Sequence, residues 1–178
     1  MNEQAARILG WRYAAVVAAT LIVVGLVYCY FCSGPATTVL LVRHADRQGS
    51  DDALSPEGTA RAEALAQVIG KSGISAIFTS DAARTQQTAA PTAAALGITP
   101  VAATDVGALV RAIRTNHRGK KVLVVGHSNT VPQIIAALGG PAVTIGESEY
   151  DNLFVLTIHR CPWHKVALTN LRYGANSP

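Results

Sequence analysis

The feature that most constrains this chain is an uncharged run of 20 residues at positions 13–32, which reads YAAVVAATLIVVGLVYCYFC. As a helix, such a run would span the roughly 30 Å hydrocarbon core of a bilayer at about 1.5 Å per residue. Arg7 and Arg12 precede it, and the next basic residue after it is Arg43. Because basic flanks stay in the cytoplasm, the sequence predicts one N-terminal transmembrane helix with the later residues outside the cytoplasm, in the periplasm or at the cell exterior.

Other interpretations of this run remain open. A cleaved signal peptide would exit through small residues, whereas this run exits through the bulky YCYFCSGP. Lipidation at Cys29 or Cys32 would also require a small preceding residue, and a buried soluble helix is rarely so long and uncharged. The C-x-x-C spacing of the two cysteines fits a metal or redox site, but no second ligand pair accompanies it, so packing is favoured. We therefore expect a short cytoplasmic segment at residues 1–12 and an anchor at 13–32.

Composition favours one globular domain over residues 37–178. The chain has 178 residues, of which 49% are apolar and 15% are charged. Disordered chains are polar and highly charged, so disorder of the whole chain is excluded. The net charge of +4 is dispersed, with no basic run longer than Lys120 and Lys121, and no nucleic-acid partner is expected. Cys161 is the only cysteine after residue 32, so no disulfide is expected within this domain.

Strands and helices alternate through this domain. Strands are predicted where β-branched and apolar residues run together, and helices where apolar residues recur at helical spacing behind a capping residue. Strands are expected at residues 37–42, 74–78, 99–102, 121–125, 153–158 and 165–171. Helices are expected at residues 55–72, 80–96, 104–119 and 130–138. The alternation predicts an α/β three-layer sandwich with a mostly parallel sheet.

Three polar groups follow three of the predicted strands at their carboxyl ends. They are Arg43 with His44 after TVLLV, Ser80 with Arg84 after AIFTS, and His127 after KVLVV. Ligands of open α/β sheets bind outside the carboxyl ends of the strands, so these groups can meet in one pocket. Two Arg, two His and two helix N-termini are suited to binding phosphate. A metal at the two histidines is disfavoured, because it would need a third ligand and the arginines would repel it.

Three segments resemble the signature blocks of the histidine phosphatase superfamily, also called phosphoglycerate-mutase-like. LVRHADR resembles its Arg-His-Gly block, SDAARTQQTAAPTAAALG resembles its Ser-x-x-x-Arg-x-x-Gln-Thr-Ala block, and VGHSNTVPQIIAALGG resembles its Gly-His block. The blocks occur in the expected order within residues 37–173. The resemblance implies a short, phosphatase-type member of that superfamily, with residues 37–178 as its catalytic domain.

The resemblance also implies roles for individual residues. His44 would be the nucleophile that receives the phosphoryl group, and Arg43, Arg84 and His127 would bind the phosphate oxygens. Splitting a hydrolysis into two steps is the advantage of such a covalent intermediate. Because phosphoryl transfer depends mainly on positioning and positive charge, no metal or other cofactor is expected.

The chain departs from the superfamily pattern at the general acid. Larger mutase-type members carry a Glu after the second helix, whereas this chain reads VAATDVGALVRA there. Asp105 is the first substitute, although it is equally suited to capping a helix, and Glu149 or Asp151 is the second. The third alternative is that no carboxylate is needed, since substrates with good leaving groups require no strong acid.

The leading prediction is a membrane-anchored phosphatase acting on a phosphate monoester or phosphoprotein, with a phosphorylated substrate and the membrane as its partners. A non-catalytic module that binds phosphorylated ligands is the alternative, and the intact set of Arg43, His44, Arg84 and His127 argues against it. A phosphotransferase or mutase is a further alternative, disfavoured because the mutase-type insert is absent from the sequence.

Overall fold

The structure is a computed structural model that describes residues 3–32, 34–160 and 166–177. Cys161, considered above, lies outside these residues. Five helices and six strands are defined in chain order. They are α1 Glu3–Cys32, β1 Thr37–Arg43, α2 Pro56–Ile69, β2 Ile74–Thr79, α3 Ala83–Leu96, β3 Val101–Ala102, α4 Val106–Asn116, β4 Lys121–Gly126, α5 Thr130–Ala137, β5 Asn152–Ile158 and β6 Val166–Arg172.

Helix α1 is long and apolar enough to cross a bilayer over Gly10–Tyr30. None of this 21-residue segment is buried inside the protein. Large apolar side chains along it, including Leu21 and Ile22, are more than half exposed. A helix with exposed apolar side chains on all sides is unsuited to water and compatible with a lipid environment.

The six strands form one sheet in the order β3-β2-β4-β1-β5-β6. Strands β3, β2, β4 and β1 are parallel to one another. Strand β5 is antiparallel to β1, and β6 is antiparallel to β5. The sheet is therefore mixed, and the prediction of a mostly parallel sheet is wrong.

The segment between α5 and β5 explains this difference. Parallel strands need a crossover that returns the chain to the starting edge, usually through a helix. Here α5 runs from the carboxyl edge of the sheet back to the amino edge, and residues 139–151 then return to the carboxyl edge without forming a helix. Strand β5 consequently starts beside the end of β1 and runs in the opposite direction, with Val42 opposite Leu153. Strand β6 pairs with β5 as a hairpin.

Helices cover both faces of the sheet, which gives three layers. The first face packs against α4 and α5 through a buried cluster that includes Val39, Leu41, Ile113 and Ile135. The second face packs against α2 and α3 through a cluster that includes Leu65. Alternate residues of β1 enter the two clusters, because successive side chains in a strand point to opposite faces. The continuous apolar sequence of β1 follows from this burial on both faces.

The start of α2 fixes the loop that follows β1. Ser55 caps the helix, since its Oγ accepts from the Gly58 amide at 3.1 Å, and Pro56 occupies the first turn. The Ser55 amide donates to the Asp46 carbonyl at 2.9 Å. A Cβ on Gly58 would overlap the Asp46 backbone, so only glycine allows this approach. Arg61 secures the same loop with an ion pair to Asp46 at 2.6 Å.

We predict that Gly58→Ala destabilises the protein, although alanine is the better helix former by about 1 kcal/mol. The added methyl would collide with backbone that has little freedom to move, and overpacking of this kind typically costs about 1–3 kcal/mol. Gly107→Ala is the matched control, because a Cβ there meets only side-chain atoms of Asp105 and Arg111 at 3.4 and 3.5 Å. Thermal unfolding of full-length protein in detergent should show a lower Tm for the first variant only. An equal or higher Tm for Gly58→Ala would contradict the packing argument.

Candidate active site

The parallel pairing of β1, β4 and β2 brings the three predicted polar groups together. Arg43 lies opposite Gly126, and Thr79 lies opposite Val125, so the three strands end at the same level. An open cleft of about 790 Å³ lies at these ends. The residues that line it are Arg43, His44, Arg47, Gly49, Arg84, His127, Ser128, Asn129, Thr130, Glu147, Ser148 and Tyr150. Four of the five site residues predicted from the sequence, Arg43, His44, Arg84 and His127, therefore share one cleft.

His44 is held rigidly at the base of this cleft. Its backbone amide donates to the Gly126 carbonyl at 2.8 Å, which extends the pairing of β1 and β4 by one residue. Its Nδ1 lies 2.8 Å from the carbonyl oxygen of Ala45. Because a carbonyl only accepts, Nδ1 carries the proton, and in the neutral ring Nε2 carries the lone pair. His44 is buried, with only 4% of its surface exposed.

Burial keeps this imidazole neutral. Desolvation is the main cause that lowers the pKa of His44 to about 4, and the positive charges of Arg43 and Arg84 add to it. The hydrogen bond to Ala45 opposes the shift. A histidine that is neutral with its Nε2 lone pair available is a competent nucleophile at neutral pH.

His127 is the second imidazole of the cleft, with its ring centroid 5.4 Å from that of His44. Its Nδ1 lies 3.4 Å from Nη2 of Arg84, and its Nε2 lies 3.0 Å from the Ser80 hydroxyl. Arginine only donates, so in the neutral ring Nδ1 accepts and Nε2–H donates to Ser80. Desolvation, followed by the charge of Arg84, lowers the pKa of His127. The helix expected from residue 80 has Ala82 as its N-cap, and the Ser80 side chain lies before it and orients His127.

Arg43 is clamped by the loop that follows α5. Its Nη1 donates to the carbonyl oxygens of Gly146, Glu147 and Glu149 at 2.8, 2.6 and 3.2 Å. Its guanidinium carbon lies 4.1 Å from the ring centroid of Tyr150, in cation–π contact. These contacts offset the cost of burying the guanidinium, whose pKa is lowered mainly by desolvation. They also fix its plane beside His44.

Arg84 reaches the cleft from the first turn of α3. Its Nη1 donates to Asp52 Oδ1 at 2.5 Å, and Asp52 Oδ2 accepts from the Ala83 amide at 2.8 Å. The carboxylate therefore ties the loop between β1 and α2 to the start of α3. The hydrogen bond from the Ala83 amide is the main cause that lowers the pKa of Asp52, and the hydrogen bond from Arg84 lowers it further. The Nε atoms of Arg43 and Arg84 are buried and have no hydrogen-bond partner within the described part of the chain.

The three carboxylates considered from the sequence as general acids do not line the cleft. Asp105 is exposed and caps α4, with Oδ1 accepting from the Ala108 amide at 2.5 Å. Glu149 accepts from the Gly146 amide at 2.9 Å and so closes the turn that clamps Arg43. Asp151 is buried and paired with Arg172 at 2.7 Å. Among the described residues that line the cleft, Glu147 is the only carboxylate.

Sequence reasoning missed Glu147, Tyr150, Asp52 and Arg47. Glu147 and Tyr150 belong to GESEYDNL, whose position depends on the direction of β5. Had β5 been predicted as antiparallel to β1, its first residues would have been placed at the carboxyl edge of the sheet. Asp52 and Arg47 lie in an irregular loop, for which the sequence offers no periodic signal.

Comparison with known proteins agrees with this fold. Residues 39–109, which include Arg43, His44 and Arg84, match the family model of the histidine phosphatase superfamily (branch 1). This match confirms the resemblance to the histidine phosphatase superfamily that the three sequence blocks predict. No curated protein matches the sequence significantly.

Solved structures resemble the fold at low sequence identity. The protein histidine phosphatase SixA, in complex with tungstate, has a TM-score of 0.61 at 19% identity over 76% of this chain and 96% of its own. A mycobacterial glucosyl-3-phosphoglycerate phosphatase has a TM-score of 0.61 at 16% identity over 78% of this chain and 100% of its own. A phosphoglycerate mutase from Plasmodium falciparum has a TM-score of 0.53 at 18% identity over 81% of this chain and 94% of its own. At these identities the likeness establishes the fold.

We predict that His44 remains neutral well below the usual range for histidine. With a pKa of about 4, roughly a tenth of the rings would be protonated at pH 5. NMR titration of histidine-labelled full-length protein, with the His44 signal assigned by its loss in His44→Gln, measures this directly. Because the unfolded chain takes up this proton near pH 6.5, stability should be fully present above that pH and fall as the pH approaches 4. A His44 midpoint at pH 6 or above would contradict the geometry.

Proposed function

We propose that this protein is a phosphatase that works through a phosphohistidine intermediate on His44. The observation that carries the proposal is the state of that ring, which is buried, neutral and hydrogen-bonded through Nδ1 to a carbonyl. His44 lines a cleft that the guanidinium groups of Arg43 and Arg84 also line. The phosphatases SixA and glucosyl-3-phosphoglycerate phosphatase, which share the fold, support the same reaction class.

In the first step, Nε2 of His44 attacks phosphorus. The N–P bond forms as the bond from phosphorus to the ester oxygen breaks, and the leaving oxygen takes up a proton. The ring becomes a phosphorylated imidazolium while Nδ1–H still donates to the Ala45 carbonyl, which stabilises the new positive charge. In the second step, water attacks phosphorus, the N–P bond breaks, and inorganic phosphate leaves as the water loses a proton.

Arg43, Arg84 and His127 bind the phosphate oxygens in this proposal. The buried Nε–H groups of the two arginines are donors without a described partner, and phosphate oxygens satisfy such donors well. His127 presents Nδ1 beside Arg84, where uptake of a proton would add a third cationic donor as the dianion binds. These groups supply the charge stabilisation on which phosphoryl transfer depends, so we propose a reaction without a metal.

Glu147 is our candidate for protonating the leaving oxygen. It lines the cleft beside the carbonyls that hold Arg43, on the side of the loop between α5 and β5. Substrates with poor leaving groups depend on such a proton, whereas those with good leaving groups do not. Asp105, Glu149 and Asp151 hold structural contacts instead.

We also propose that α1 anchors the enzyme in a membrane, with the catalytic domain outside the cytoplasm. The support is the length and apolar surface of Gly10–Tyr30 and the basic residue Arg12 near its start. The substrate in this arrangement is a phosphate monoester or a phosphoprotein accessible from the outer side.

We predict that His44→Ala lowers turnover by several orders of magnitude, because removal of a covalent nucleophile blocks the pathway. His117→Gln is the matched control, since its ring packs against Phe78, with centroids 5.3 Å apart, and does not line the cleft. Release of phosphate from p-nitrophenyl phosphate by full-length protein in detergent measures turnover. Rapid quenching should trap label on His44, and label on Ser128 or Cys161 would overturn the mechanism. Transfer of label to an added alcohol rather than to water would indicate a phosphotransferase.

We predict that Glu147→Gln affects substrates according to their leaving groups. It should lower kcat by about tenfold to a hundredfold for an alkyl phosphate, in line with the usual contribution of a general acid, and leave p-nitrophenyl phosphate nearly unchanged. Glu63→Gln is the control, because Glu63 is exposed on α2 away from the cleft. Equal effects on both substrates would assign Glu147 to binding rather than to proton transfer.

A further inference from the structure

Charges are segregated between the two edges of the sheet. The three lysines that the structure describes, Lys71, Lys120 and Lys121, lie in or beside connections at the amino edge of the parallel strands. Of the 11 acidic residues, all except Glu3 and Glu63 lie in loops or first helical turns at the carboxyl edge. The connections 70–73, 117–120 and 159–165 contain no carboxylate.

We call the amino edge the anchor-side face. Its described basic residues are Lys71, Arg114, Arg118, Lys120, Lys121 and Arg160, and all are exposed. None of them forms an ion pair with a carboxylate within the described part of the chain. Two have backbone partners, since Arg114 donates to the Ala137 carbonyl at 3.1 Å and Lys121 donates to the Ser72 carbonyl at 2.7 Å.

A pocket of about 370 Å³ opens on this face. Apolar side chains from α4, β5 and β6 and from Leu138, which follows α5, line it together with Arg114, Arg118, His159 and Arg160. Pro35, from the segment that joins α1 to β1, also contributes to its wall. The pocket therefore combines apolar walls with a cationic rim, directly beside the segment that leads from the membrane helix.

The connection to α1 keeps this face close to the bilayer. Four residues lie between Cys32 and Thr37, and the five Cα-to-Cα steps from one to the other limit the gap to roughly 17 Å even when fully extended. The joining segment also packs on the face. Pro35 lies against Gly119, whose positive φ of 74° and close approach exclude a side chain, and the Gly119 amide donates to Thr37 Oγ1 at 2.8 Å.

We propose that the anchor-side face docks onto anionic phospholipid headgroups of the bilayer that α1 spans, with a headgroup phosphate seated in the cationic pocket. The proposal rests on the membrane anchoring proposed above. The charges are complementary, and unpaired basic groups close to an anionic surface are attracted to it over about a Debye length of 8 Å. Because the connection to α1 is short, these basic groups can approach the bilayer surface to within about one Debye length.

Docking in this manner sets the direction of the active site. The catalytic cleft lies at the other end of β1, and seven residues at about 3.3 Å each place it roughly 23 Å from the anchor-side face. The cleft then opens away from the bilayer. Substrates would arrive from the aqueous side rather than from the membrane lipids beneath the domain.

Lysine footprinting of full-length protein tests this docking. The protein is reconstituted into vesicles of phosphatidylcholine alone or with three-tenths phosphatidylglycerol, and acetylation of Lys71 and Lys120 by a soluble ester is followed by mass spectrometry. We expect acetylation to be at least about threefold slower in the anionic vesicles, and we expect 0.5 M NaCl to remove the difference because it shortens the Debye length. Equal rates in both vesicles would overturn the proposal without any variant being needed.

Charge variants locate the effect. The triple variant Arg114→Gln, Arg118→Gln and Arg160→Gln retains the reporter lysines and should lose most of the protection. The control Ala60→Glu, Ala90→Glu and Ala108→Glu changes the net charge by the same amount at exposed sites on other surfaces, and should keep it. Equal loss in both triples would show a response to net charge and overturn docking by this face.

Two further measurements distinguish lipid docking from the binding of free anions and from the proposed phosphatase activity and anchoring. Added inorganic phosphate should not protect the lysines in phosphatidylcholine vesicles, and protection there would assign the face to free anions. His44-dependent phosphatase activity is measured on the same vesicles. Activity without lipid-dependent protection would refute docking alone, and release of an active protein by a carbonate wash would refute the anchoring and the docking with it. Inactive protein that shows the lipid-dependent protection would refute the phosphatase and leave docking supported.

Discussion

The register between β1 and β4 is the constraint on which the active site depends. Because Arg43 pairs with Gly126 and the His44 amide continues the pairing to the Gly126 carbonyl, the first residues after β1 cannot shift relative to the first residues after β4. A slip of one residue would turn each of these side chains, Arg43 and His44, to the other face of the sheet. The positions of both imidazoles therefore follow from backbone hydrogen bonds in the best-buried part of the sheet.

The site concentrates positive charge in a partly dehydrated cleft, which is unfavourable in the absence of an anion. Arg43 is stabilised by three carbonyl oxygens and by the ring of Tyr150, and Arg84 by Asp52. His44 and His127 respond to the same environment by remaining neutral. A phosphate dianion would offset the repulsion between these groups, which agrees with our proposal that they stabilise a phosphoryl group.

Each edge of the sheet has a distinct chemical character. The carboxyl edge carries the catalytic cleft together with nearly all of the acidic residues, and several of these hold loops in place, as Asp46 does with Arg61. The amino edge carries Lys71, Lys120 and Lys121 and receives the chain from α1. In our two proposals, the length of β1 separates the surface that positions the domain from the cleft that performs chemistry.

Local sequence determined much of this protein. The apolar run of β1, the Ser55 cap with Pro56, and Gly97 in a left-handed C-cap at φ 64° are short-range signals, and each element lies where they predict. Arg43, His44, Arg84 and His127 could be found because strand ends are visible in the sequence and parallel strand ends converge. Asp105 showed the limit of this reasoning, since a helix cap and a general acid have the same local signature, and the structure places it as the cap of α4.

Only the tertiary structure decided the direction of β5 and everything that follows from it. Residues 139–151 have no periodic pattern, so their path across the sheet depends on packing between distant elements rather than on local preference. That path makes the sheet mixed, places Glu147 and Tyr150 in the cleft, and supplies the carbonyls that clamp Arg43. The sequence thus determined which residues follow the parallel strands, whereas long-range packing determined which residues face them across the cleft.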